Sequence, residues 1–72
     1  MNDILDQNDT YTLALDHIKH GEWWLELIDR ASGNVKIMTA ARKDKFDGVK
    51  LSHALRWMDC IEWVPMYKKG IM

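Results

Sequence analysis

Residues 22–30, Glu22-Trp23-Trp24-Leu25-Glu26-Leu27-Ile28-Asp29-Arg30 (EWWLELIDR), decide how this chain folds. Aromatic and branched side chains crowd the stretch, which reads as a β-strand. Successive strand residues point to opposite faces of a sheet, so Trp23 and Trp24 cannot both enter one core. The turn-forming Ala31-Ser32-Gly33-Asn34 follows, and Val35 to Arg42 (VKIMTAAR) reads as the returning strand of a hairpin. A two- or four-residue loop sets Asp29 against Lys36, Leu27 against Met38 and Trp23 against Arg42. One face then carries Trp23, Leu25, Leu27, Met38 and Ala40. The other carries Trp24, Ile28, Val35, Ile37 and Ala41, broken by Glu26, Thr39 and Arg30. A half-solvated antiparallel sheet alternates apolar and polar residues cleanly. This hairpin is apolar on both sides.

Working outward, Thr10 to His20 predicts a helix. Tyr11, Ala14, Leu15 and Ile18 fall on one stripe, Asn8, Asp9 or Thr10 can act as N-cap, and Gly21 sits where a glycine ends a helix. A second helix is expected after Asp47 as N-cap, with Phe46 stapled to Leu51 and a stripe of Leu51, Ala54, Leu55 and Met58. Glu62 would fall in the middle of that stripe, which ends the helix near Met58 or Asp59. Ile61 to Tyr67 (IEWVPMY) reads as a third strand, kept at an edge by Pro65, which has no N–H. Residues 1–9 read as a flexible arm or short turn, 10–69 as a single domain, and 70–72 as a frayed tail. The expected class is α+β: a small three-stranded sheet, made of the β-hairpin plus one edge strand, with two helices in the order α-β-β-α-β.

A chain of 72 residues hides only about 60% of the surface it exposes when unfolded, so small cores usually need a disulfide, a metal or a second subunit. The lone Cys60 cannot form an internal disulfide and suits a reducing compartment. The acidic start, MNDILDQND, has no basic and apolar pattern of a secretory signal. No apolar run approaches the ~20 residues that span a bilayer. These features predict a cytoplasmic protein without membrane partners. The apolar fraction of 47% is ordinary, but four tryptophans in so short a chain are not. Net charge is −1, unevenly spread: residues 1–30 hold seven acidic and two basic side chains, and residues 31–72 hold four acidic and eight basic. That asymmetry marks a binding surface for an anionic partner, or an acid end that meets a basic end in an oligomer, or is absorbed where the two halves interleave.

The candidate chemistry is sparse. His17 and His20 lie three apart, but a closed metal site needs about four ligands at set spacing, and His53 and Cys60 fall on the outward side of the second helix. Asp59 and Glu62 beside Cys60 oppose a reactive thiolate. No Gly-rich phosphate loop or paired carboxylates stand out, so neither enzyme activity, nor a metal, nor another cofactor is expected. The basic stretch Arg42, Lys43, Lys45 and Lys50, with Lys68-Lys69 and Trp57 beside Arg56, offers an alternative nucleic-acid surface, although Asp44 and Asp47 interrupt it.

The second hairpin face ranks first. Two short helices can cover one face of three strands, which leaves Trp24, Ile28, Val35 and Ile37 as an apolar patch of the kind that marks a partner surface. The sequence therefore predicts a non-enzymatic interaction module of the adaptor, inhibitor or regulatory-subunit type. It is expected to pair with itself as a homodimer through that face or a strand edge, and to dock on another protein. Small proteins of this kind are common on phages and other mobile elements, an origin that no residue here specifies.

Overall fold

Alternation by two, not by 3.6, governs the segment after Thr10 in the computed structural model, which describes residues 2–17 and 21–69. Four strands form one sheet: β1 (Asn2–Gln7), β2 (Tyr11–His17), β3 (Trp23–Asp29) and β4 (Val35–Ala40). They lie side by side in chain order, every neighbouring pair antiparallel. The expected three-stranded sheet with two helices is therefore corrected to a four-stranded antiparallel sheet with one helix. The broad α+β class holds.

Two segments carry that correction. The expected helix from Thr10 is strand β2, with Tyr11, Leu13 and Leu15 on one face and Thr12, Ala14 and Asp16 on the other. Ala14 and Leu15 fit both periods. Leu13, which the helical stripe leaves out, is fully buried in the core, and tyrosine and threonine suit a pleated surface. The expected arm at residues 1–9 contains strand β1. Asn8 still uses its side chain as a helix N-cap would, but inside a hairpin turn: its Oδ1 accepts the N–H groups of Thr10 (2.9 Å) and Tyr11 (2.7 Å). Between Ile4, opposite Ala14, and Asp6, opposite Leu13, β1 bulges by one residue, and Leu5 packs against the core.

The β3–β4 hairpin forms as expected, with its register moved by two residues. Leu27 faces Lys36, Leu25 faces Met38 and Trp23 faces Ala40. The turn starts earlier than its composition suggests because Asp29 is spent on it. The Asp29 carboxylate accepts the Ala31 N–H (3.1 Å) and the Ser32 hydroxyl (3.0 Å), and its carbonyl accepts the Gly33 N–H (2.7 Å). Gly33 sits at φ +80°, where a Cβ is disfavoured. A shift of two keeps every side chain on its predicted face.

The first face holds the core. Leu13, Leu15, Leu25 and Leu27 pack against Phe46, Val49, Leu51, Ala54 and Met58, which come from the loop and helix beyond β4. Helix α1 (Leu51–Trp57) turns Leu51 and Ala54 inward, as the stripe predicts. Asp47 does not cap it. The Leu51 N–H donates to Asp6 Oδ2 at 2.9 Å, so strand β1 caps a helix 45 residues away in sequence. Binding by the Leu51 N–H, then by the Gln7 N–H, with the Lys50 charge adding to both, holds the Asp6 carboxyl below the usual aspartate range despite an opposing contribution from burial.

The expected third strand, Ile61 to Tyr67, is reduced to one bridge. Val64 exchanges two backbone hydrogen bonds with Val35 (2.8 and 2.9 Å), antiparallel to β4. Pro65 has no N–H to continue the ladder, and the chain turns into a single 3-10 turn at Met66–Lys68. The tail 70–72 lies outside the described residues.

Candidate interaction surface

The second sheet face is built from three rows of neighbours. They run Gln7–Thr12–Ile28–Val35, then Ile4–Ala14–Glu26–Ile37, then Asp16–Trp24–Thr39. Glu26 stands near the middle with apolar side chains on most sides, and its exposure is 0%. A carboxylate in that setting must find a cation or hold a proton. Lys69 supplies the cation: its Nζ lies 2.5 Å from Glu26 Oε1 and 3.3 Å from Asp16 Oδ2. Burial pushes the Glu26 carboxyl above the usual glutamate range, with Lys69 opposing the shift and Asp16 adding to it. For Lys69, burial acts to lower the value. Hydrogen bonds and charge from Glu26 and Asp16 more than offset it, and the ammonium is held above the usual lysine range.

Lys69 can reach this point because the chain crosses the face. Trp63 is fixed at the rim of the first face, stacked on Tyr11 with ring centroids 6.0 Å apart and the Lys36 ammonium 4.9 Å from its centroid. Val64 then pairs with the β4 edge, and residues 65–69 pass as a strap to Glu26. Of the residues expected to form the interaction patch, Val35 is fully buried, while Trp24, Ile28 and Ile37 are half-buried. The face is therefore partly roofed by its own chain. The roof itself is apolar on the outside: Met66 is 41% exposed and Tyr67 78%, and Ile4 at the β1 margin is 63% exposed.

Both sheet edges are blunted. The Val64 bridge occupies part of β4, and the bulge distorts β1, which also carries Asp3 and Asp6.

The alternative basic surface is exposed but partly neutralised. Arg42 makes two bonds to the Asp44 carboxylate (3.1 and 2.5 Å). Lys43 lies 3.9 Å from Asp3 and 5.2 Å from the centroid of Trp23, in the place the predicted register gave to Arg42. Lys45 and Lys50 are exposed. Of the two histidines three apart in sequence, His17 packs its ring 4.4 Å from that of Trp23 at the end of β2, and His20 lies outside the described residues. His53 Nδ1 accepts the Lys50 N–H (3.2 Å), its ring stacks on Trp57, and Cys60 is exposed. Among the described residues no three His, Cys, Asp or Glu side chains converge to hold a metal, and no helix is long and apolar enough to cross a membrane.

The group the sequence reading missed is Glu26 with Lys69 and Asp16. Its signal was present: Glu26 interrupts an apolar strand face, and an acid there requires a cation from elsewhere in the chain. No protein-family model, curated protein or solved structure matches this chain. The functional reading therefore stands on geometry alone.

Proposed function

We propose that this protein is a non-enzymatic interaction module that associates with a second copy of itself through the second sheet face and the strap across it. One observation carries the reading: between the strap's attachments at Val64 and Lys69, Met66 and Tyr67 are exposed, as is Ile4 at the β1 margin, on a face where Trp24, Ile28 and Ile37 are half-buried. Covering an apolar face with an apolar strap moves the surplus hydrophobic surface outward without removing it. Exposed apolar side chains gathered on one face favour a partner. A second copy suits a chain too short for a large core and without an internal disulfide.

The non-enzymatic part rests on where the perturbed carboxylate lies. Glu26 is fully buried and held by Lys69, so a solute cannot reach it, and its role is to secure the strap. The nucleic-acid reading has less support, because Arg42 and Lys43 are turned to Asp44 and Asp3. Sedimentation equilibrium over a wide concentration range tests the proposal. A dimer mass that dissociates on dilution is the expected result. A monomer mass throughout overturns it.

A further inference from the structure

We infer that the outer side of helix α1 binds single-stranded nucleic acid, with a base stacked on Trp57 and phosphates held by Lys50 and Arg56. The helix packs on the first sheet face, away from the strap, so the inference stands whether or not the chain self-associates.

Helical spacing assembles the site. Leu51, Ala54 and Met58 turn into the core, which leaves His53, Arg56 and Trp57 together on the other side, with Lys50 at the helix start. All four of these side chains are exposed. The rings of His53 and Trp57 are stacked, their centroids 5.7 Å apart and their planes 17° from parallel. His53 is fixed in place, because its Nδ1 accepts the Lys50 N–H at 3.2 Å and leaves Nε2 to donate outward. Trp57 keeps 45% of its surface open to solvent. An aromatic platform already ordered in the free chain loses little entropy when a base joins the stack.

The charges around this platform are of one sign. Helix α1, Leu51-Ser52-His53-Ala54-Leu55-Arg56-Trp57, contains no acid. Among the described residues no carboxylate lies within ion-pair distance of Lys50 or Arg56. Asp6, whose charge bears on Lys50, gives its two oxygens to the N–H groups of Gln7 and Leu51. The basic loop differs, since Arg42 and Lys43 are turned to Asp44 and Asp3, so the site is the helix and not the loop. Asp59 and Glu62 follow the helix and confine the contact to a short segment of strand. Stacked rings decide the class of partner. An acidic peptide would use the two cations and leave the rings idle, and a duplex hides its base faces, whereas an unpaired strand offers both phosphate and base.

Fluorescence anisotropy of a labelled oligothymidylate of about ten nucleotides, titrated with the full chain at about 20 mM salt, tests this. Saturable binding is expected, and two phosphate contacts on a single strand give a slope of log affinity against log salt of about −1.4. Affinity should then fall about sevenfold between about 50 and about 200 mM salt. Trp57→Leu keeps apolar bulk but removes the stacking ring, and should weaken binding about tenfold. Lys50→Ala and Arg56→Ala should each flatten the salt slope by about half. No binding at low salt overturns the inference. So does equal affinity for an abasic strand of the same length or for a glutamate oligomer, since the rings then contribute nothing. Sedimentation of the same samples keeps the two readings apart. A monomer that binds the strand defeats only the proposed self-association, and a dimer that ignores it defeats only this site.

Discussion

Lys69 answers a requirement that Glu26 creates, and the two side chains are best judged together. Removing the cation alone leaves a buried carboxylate, so Lys69→Met should cost about 3–5 kcal/mol, while the double replacement Glu26→Leu with Lys69→Met should be near neutral or stabilising. Denaturant melts of the two variants check this, and a double variant as weak as the single one would contradict it. The pH response follows from the directions of the shifts. Because burial raises Glu26, the folded chain holds that proton more tightly than the unfolded one. Its contribution is complete below the usual glutamate range and fades as pH rises through the raised folded value. Lys69→Met removes the opposing cation and should enlarge this effect, giving a thermal midpoint that recovers as the buffer is acidified from about pH 8 to about pH 5. Asp6 runs the other way. Its lowered value gives a contribution present above the usual aspartate range and lost as pH falls through the folded value. Asp6→Ala should remove the helix cap and lower the thermal midpoint at neutral pH, whereas Asp6→Asn keeps an acceptor for the Leu51 N–H and should lose less. At this scale the sequence shows Glu26 only as one of three breaks in an apolar face, and no acid stands out there as buried beside a second one. The cluster was not legible because the expected helix over Thr10–His20 keeps Asp16 off the sheet, and Lys69, 43 positions from Glu26, is brought to it only by the tertiary fold.

The elements divide by how local their causes are. The β3–β4 hairpin was legible because strand pattern and turn residues agree within one short stretch. Its register slipped by two because Asp29, read as a cross-strand partner for Lys36, closes the turn with its carboxylate. Helix α1 was legible from its stripe, but its cap was not, since the acceptor comes from β1. Strand β2 was misread because Tyr11, Ala14 and Leu15 satisfy a helical period. The choice went to the strand when β1 and β3 offered hydrogen-bond partners on both sides. Gly33→Ala tests the turn. No atom lies within 4 Å of the point where the added methyl would sit, so the cost is conformational, about 1–2 kcal/mol for an L-residue at positive φ, and a melt should show it. The strap gives a different expectation. Its backbone is tied by the two bonds between Val35 and Val64, so the Val64 amide should exchange by local opening, well before Leu25 and Leu27 in the sheet centre. Equal protection of all three in native-state exchange would make the strap part of the global unfolding unit.

Across the whole molecule, the acidic first half and the basic second half meet inside one chain. Asp16 and Glu26 take Lys69, Asp3 lies near Lys43, and Asp6 caps the helix that begins after Lys50. The charge asymmetry visible in the sequence is thus absorbed in part: Lys69 and Lys43 lie against acids of the first half, while Lys45, Lys50, Arg56 and Lys68 are exposed. The fold also leaves apolar surface outside, and the difference between the two predicts how association responds to salt. A phosphate-binding surface with several cations loses affinity by orders of magnitude, about 10³-fold or more for six to ten contacts, between about 50 and about 200 mM salt. An apolar interface through the strap should keep its dimer constant nearly unchanged over that range, because buried contacts are little screened. The exposed aromatic on the strap should dominate it. Tyr67→Lys is expected to weaken the dimer about tenfold or more, as central aromatic anchors do, while Trp57→Lys on helix α1, which packs on the opposite sheet face, should leave it intact. Sedimentation of both variants at two salt concentrations separates the cases. An association lost with Trp57 and steep in salt would place the contact on the helix and its basic approach, whereas one lost with Tyr67 and flat in salt places it on the strap.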